Sequence, residues 1–94
     1  YGACVIDGPL DLKTSLSGKA LKKKGLHSPL RGHADALIFP DIQAGNVFYK
    51  TITLFCRATT AAVLAGPDVP VVLTSRADDA DSKFYSLALA CVNA

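Results

Sequence analysis

Ninety-four residues with a net charge of +2, half of them hydrophobic and 7% aromatic, fit one small domain or part of a larger one. That balance excludes the basic, aromatic-interleaved surface of a nucleic-acid binder, and no uninterrupted apolar run reaches membrane-spanning length. Cys4, Cys56 and Cys91 are odd in number and form no CxxC pair, which argues against a disulfide framework or zinc site and for a reducing, cytoplasmic compartment.

The chain starts at Tyr1, contains no methionine and lacks a signal-peptide layout, so it reads as an internal fragment of a longer polypeptide. Ala3-Cys4-Val5-Ile6 is an apolar run closed by Asp7-Gly8-Pro9, which predicts a strand and a turn. A weaker helical pattern runs from about Lys13 to Lys24, with Leu16 and Ala20 on one face and Gly25 as the stop. Lys19, Lys22, Lys23 and Lys24 suit a solvated helix face near its C-terminus; the alternative is contact with an anion such as a coenzyme A phosphate. His27 and His33 flank the following loop with no carboxylate or cysteine at ligand spacing, so no metal is expected.

Ala36-Leu37-Ile38-Phe39 suits a strand covered on both faces. A helix is expected from about Gln43 to Arg57, with Ala44, Val47, Phe48, Thr51, Phe55 and Ala58 on its apolar side. Gln43, Asn46, Lys50, Thr53 and Arg57 form the opposite stripe. Ala62–Ala65 and Val71–Thr74 read as two more buried strands. The five residues between them are too few for a parallel crossover, so the pair is antiparallel or not adjacent. From about Asp78 a last helix places Phe84, Leu87, Ala88 and Cys91 on one face. Alternating strand and helix without repeats is the α/β signature.

Two strand ends carry the polar groups that chemistry requires. At Leu73-Thr74-Ser75-Arg76-Ala77-Asp78, a hydroxyl, a planar guanidinium and the free N–H groups of a helix start could together hold a tetrahedral phosphate. The plainer alternative makes Ser75 a cap and Arg76 the ion partner of Asp78 or Asp79. Asp78 and Asp81, three apart, have the geometry of an N-cap with an acidic residue in the first turn. At Pro40-Asp41 to Lys50, Gly45 is costly in a helix unless something approaches closely, and Asn46 and Lys50 project together. The plainer alternative leaves Asn46 and Lys50 in the solvated stripe. No Gly-x-Ser-x-Gly elbow, Walker loop or dinucleotide fingerprint is present.

Several of these segments also carry a resemblance. Asp7-Gly8-Pro9-Leu10, Lys24 to Pro29, Ala34 to Lys50, Val69 to Asp78 and Tyr85 to Ala90 resemble, in this order, the C-terminal region of the phosphate acetyl/butyryltransferases. The resemblance implies that residues 1–94 are the C-terminal segment of such an enzyme, a single partial unit without internal boundary. It implies a two-domain, three-layer αβα fold of the isocitrate/isopropylmalate dehydrogenase-like kind with a mixed sheet and an interdomain cleft. The implied reaction is acyl-CoA plus phosphate giving acyl phosphate plus coenzyme A, with the thioester as substrate and no separate cofactor. Ser75 and Arg76 match the pair that faces phosphate and acyl group, and Asp41, Gly45, Asn46 and Lys50 match residues lining the same cleft. The acetyl-type enzymes carry an aspartate proposed as the base at the position of Ser82; Asp81 is one residue earlier and takes that role, or the butyryl type does without it. Thr74-Ser75-Arg76-Ala77-Asp78 leans toward the butyryl type. Asp11, Lys13 and Thr14 also depart from the family's usual alanine, aspartate and asparagine. Expected partners are acyl-CoA, inorganic phosphate, the rest of the polypeptide and further copies in a homo-oligomer, with neither nucleic acid nor membrane. The alternative is a non-catalytic acyl-CoA-sensing domain, like the phosphotransacetylase-type domains appended to some malic enzymes.

Overall fold

In the computed structural model, which describes residues 2–94, each of the four helices starts on a short polar side chain that accepts an otherwise unpaired N–H. Helix α1 (Leu12–Leu16) is capped by Asp11, which accepts from the Thr14 N–H at 2.8 Å and from the Thr14 hydroxyl at 2.9 Å. Ser17 ends α1 in extended geometry, φ −143° and ψ 111°, and caps α2 (Gly18–Lys23) by accepting from the Ala20 N–H. The single helix expected over residues 13–24 is therefore two short ones. A serine in extended conformation interrupts the ladder and restarts it in a new direction.

Residues up to Phe39 form one compact unit and Pro40–Ala94 another. In the first, α1 packs on α2, and Leu21 is the buried hydrophobic residue. The loop from Ser28 to Ala34 returns along this pair, with the Ala34 N–H donating to the Ser15 carbonyl at 3.2 Å. Gly32, buried at φ +77°, lies directly on the backbone of Ser17 and Gly18, where a Cβ would collide. Lys24 pairs with the half-exposed Asp11 carboxylate. That hydrogen bond first, then the Thr14 N–H, holds the carboxyl far below the usual range. Lys19, Lys22 and Lys23 are exposed.

In the second unit, Asp41 caps α3 (Ile42–Leu54) and Asp79 caps α4 (Ala80–Val92). Between them the chain is irregular. Four strands are expected from the sequence, at residues 3–6, 36–39, 62–65 and 71–74. Among the described residues, a single antiparallel bridge joins Leu64 and Val71, with the Leu64 N–H on the Val71 carbonyl at 2.8 Å. Its direction agrees with the short connection. The runs 3–6 and 36–39 form no ladder, and a strand exists only through hydrogen bonds to a neighbouring strand.

The packed helix faces also differ from expectation. In α3, Ala44, Gly45, Phe48, Tyr49, Ile52 and Thr53 turn inward. Ala44, Phe48 and, past the helix, Ala58 of the expected apolar side are half-buried, while Val47 and Thr51 are exposed and Phe55 is 78% exposed. In α4 the buried residues are Ser82 and Ser86; Phe84, Leu87, Ala88 and Cys91 face outward. Helix α4 packs through Ser82 and Ser86, which bond to the neighbouring loop, and leaves Phe84 and Leu87 exposed, whereas α3 turns Phe48 and Ile52 inward beside Tyr49.

The surface reflects this. Compact proteins of the two units' sizes would expose roughly 6,200 Å² together by the usual size scaling, against 7918 Å² here. Ile38 at 94% and Leu73 at 82% are typical of the excess. Described helices include none long and apolar enough to cross a membrane. Residues 1–94 alone are expected to aggregate or to lose structure gradually on heating. A sharp two-state transition of the isolated monomer by calorimetry would contradict this.

Candidate active site

The second unit is held together by a row of hydroxyl groups. The Tyr49 hydroxyl of α3 donates to Asp78 Oδ1 at 2.8 Å and meets Thr60 Oγ1 at 3.4 Å. Thr60 Oγ1 lies 3.3 Å from Ser82 Oγ on α4. One turn further along α4, Ser86 Oγ donates to the Ser82 carbonyl at 2.7 Å and accepts from the Ala62 N–H at 3.0 Å. The irregular segment 60–62 is thus fastened to α4 by side chains where a sheet would have used backbone.

The loop before α4 hangs from the start of this row. Asp78 Oδ2 accepts the Ser75 N–H at 2.8 Å, and the Asp78 N–H donates to the Ser75 carbonyl at 3.2 Å, closing a turn around Arg76. Ser75 Oγ accepts from the Ala77 N–H at 3.3 Å, which leaves its own proton free to donate. The Ser75 N–H first, then the Tyr49 hydroxyl, lower the Asp78 carboxyl below its ordinary value, with Lys50 and Lys83 contributing. Asp79 is lowered in the same way by the N–H and hydroxyl of Ser82.

The helix cap is therefore Asp79, with the Ser82 N–H at 2.8 Å. The 78-to-81 spacing read from the sequence applies one residue later, and Asp81 occupies the first turn as an exposed carboxylate. Arg76 is exposed, and among the described residues it has no ion partner. The plainer reading made it the partner of Asp78 or Asp79, but Asp78 bonds to the Ser75 N–H and the Tyr49 hydroxyl, and Asp79 to Ser82.

Beside the loop lies a groove of about 560 Å³. Lys50, Thr53 and Arg57 form one wall, and Asp78, Asp79 and Ser82 the other. Three of the five residues of the supposed solvated stripe, Lys50, Thr53 and Arg57, thus line a concavity. Lys50 Nζ sits 5.2 Å above the Tyr49 ring, a cation–π arrangement that keeps the ammonium near the groove. Arg57, at φ 51°, holds the left-handed position that releases the chain from α3. Asn46 is exposed and lies outside the groove wall. Asp41 caps α3 by accepting the Ala44 N–H at 2.8 Å, and Gly45 is half-buried on the packed side of that helix.

The family described as Phosphate acetyl/butaryl transferase matches residues 2–91. The chain belongs to this family. It is 51% identical over 89 residues to a phosphate acetyltransferase of Thermotoga maritima, covering 95% of the chain and 30% of that relative. It is 45% identical over 89 residues to a phosphate butyryltransferase of Clostridium beijerinckii, again covering 95% of the chain and 30% of the relative. A crystal structure of a branched-chain phosphotransacylase from Enterococcus faecalis V583 matches with a TM-score of 0.79 at 45% identity, covering 89% of the chain and 32% of that protein. The chain thus spans about 30% of the length of these family members.

Within this family member, the residues singled out from sequence fall into two groups. Lys50 shares the groove with Asp78, next to the turn that carries Ser75 and Arg76. Ser75 and Arg76 themselves do not line the groove, and neither do Asp41, Gly45, Asn46 and Asp81. The parts that sequence reading missed are Tyr49, Thr60 and Ser86, together with the clamping role of Asp78. The Tyr49–Asp78 bond spans 29 positions, so no local spacing announces it. Ser86→Ala would leave the Ala62 N–H without its acceptor. In the complete protein it is expected to cost about 1–3 kcal/mol by denaturant titration, whereas Thr51→Ala, on the exposed face, should be within about 0.5 kcal/mol of wild type.

Proposed function

We propose that this chain carries part of the active site of a phosphate acyltransferase, with Arg76 as the residue that receives phosphate and the developing oxyanion. The supporting observation is the free guanidinium: both neighbouring carboxylates are engaged elsewhere, and the turn that carries Arg76 is closed by its own hydrogen bonds. Names of relatives at 45–51% identity support the acyl-transfer class.

In the proposed reaction, an oxygen of hydrogen phosphate attacks the thioester carbonyl carbon. The C–O bond forms, the C–S bond breaks, and the electron pair leaves on sulfur. The phosphate proton ends on that sulfur, giving acyl phosphate and coenzyme A thiol. A guanidinium presents two parallel N–H groups, which suits both the phosphate oxygens and the carbonyl oxygen as it gains charge. Ser75 adds a hydroxyl donor beside it, and Lys50, in the groove next to this turn, is proposed as a second cation. In the reverse direction a carboxylate must take the thiol proton, a role open to the exposed Asp81. Asp41, Gly45 and Asn46 are proposed as part of the same cleft in the complete enzyme. The proposed substrates are acyl-CoA and phosphate, with no separate cofactor, in the cytoplasm. The apolar runs 36–39 and 71–74 are proposed to join a mixed α/β sheet once the remaining two-thirds of a family-length polypeptide covers them.

Arg76→Lys keeps the charge but loses the planar fork, so its turnover should fall well below wild type. Arg76→Ala should fall by about a hundredfold to a thousandfold, with the melting temperature nearly unchanged because the residue is exposed. The measurement is phosphate-dependent release of free thiol from acyl-CoA by the complete enzyme. Near-normal turnover of Arg76→Ala would overturn the assignment. Binding of acyl-CoA by wild type without turnover would instead indicate a sensing domain.

A further inference from the structure

A phosphate-binding arginine on a loop is useful only if the loop is held still, since small displacements of a reacting group cost large factors in rate. The turn 75–78 closes on itself through Ser75 and Asp78, but those bonds do not attach it to the rest of the unit. Among the described residues, the hydrogen bond that reaches from this turn to another element is the one from the Tyr49 hydroxyl to Asp78 Oδ1, at 2.8 Å. Tyr49 lies on the packed face of α3, half-buried, so its ring is fixed by the helix. The same ring lies 5.2 Å beneath Lys50 Nζ. One residue of α3 thereby touches both the clamp of the Arg76 turn and the neighbouring cation of the groove.

We infer that Tyr49 is a positioning residue for acyl transfer, acting through Asp78 to hold the Ser75–Arg76 turn where its guanidinium meets phosphate. The inference rests on the proposed role of Arg76. It assigns Tyr49 no contact with substrate, because its hydroxyl proton is already donated to Asp78 and its oxygen meets Thr60. Asp78 is ionised at neutral pH, as its hydrogen bonds require, and accepts from both sides at once.

Tyr49→Phe isolates this effect, because phenylalanine keeps the ring beneath Lys50 and removes only the hydroxyl. Asp78→Asn is the companion variant, similar in shape but without the charged acceptor. Both are to be made in the complete enzyme, alone and combined with Arg76→Ala, with kcat and the KM for phosphate recorded. Tyr49→Phe is expected to lower kcat/KM for phosphate roughly tenfold to a hundredfold in the otherwise wild-type enzyme. In the Arg76→Ala background it should cause little further loss, because residues that act through one another are non-additive. Asp78→Asn should show the same dependence on background. Equal losses in both backgrounds would overturn the inference, since a general structural defect does not depend on Arg76. Wild-type kinetics for Tyr49→Phe, with Arg76→Ala strongly impaired, would also overturn it while leaving the Arg76 reading in place. Near-normal turnover of Arg76→Ala would instead remove the reading on which the inference stands.

Discussion

The Asp78 carboxylate is bound on both sides by the chain that surrounds it. One oxygen takes the N–H of Ser75, three residues back, and the other takes the hydroxyl of Tyr49 on α3. Both are hydrogen bonds to an anion, which are stronger than neutral ones and lower the acid's pKa. The lowered value means that the clamp contributes above the carboxyl's unfolded pKa and is lost as pH falls through the folded one. With Asp78 engaged there and Asp79 capping α4, neither forms an ion pair with Arg76 among the described residues. A basic loop residue beside two acids would otherwise form a surface ion pair of little consequence.

The unit around this clamp inverts the usual arrangement of a small domain. Tyr49, Thr60, Ser82 and Ser86 form its partly buried interior contacts, while Phe55, Leu73 and Phe84 stand in the open. Hydrogen bonds of this kind contribute about 1 kcal/mol each in net terms, too little alone to replace a hydrophobic core. They do specify geometry. Polar contacts set how segment 60–62, the Ser75 turn and the two long helices meet, and they leave the apolar faces available. Relatives more than three times as long have the chain to cover such faces.

Much of the local structure was legible in the residues themselves. Helix α3, expected from about Gln43, starts at Ile42, and Gly25, at φ +64°, stands just past the C-cap of α2 as its stop signal suggests. The reading went astray where local rules depend on neighbours. Apolar periodicity correctly located α4, but it assigned the packed face to Phe84, Leu87 and Cys91; Ser82 and Ser86 are buried instead because they supply partners for Thr60 and Ala62. Four apolar runs looked like strands, and one pair found each other, Leu64 with Val71. Spacing put the cap at Asp78 with Asp81 in the first turn; Asp79 is the cap instead, because Asp78 is engaged by the Ser75 N–H and by the Tyr49 hydroxyl, which is distant in sequence. Of the site, Ser75, Arg76 and Lys50 were visible as residue types at strand and helix ends. The tyrosine and threonine that link these elements were not.

The account depends on an unpaired Arg76 that receives phosphate. The most direct measurement is NMR of the Arg76 side-chain Nε–H and the Ser75 amide in the complete enzyme during titration with inorganic phosphate. The account predicts saturable shifts at both, with a common dissociation constant and strong protection of the Arg76 Nε proton in the bound state. Turnover at phosphate concentrations that leave the Arg76 Nε–H signal unmoved would contradict it.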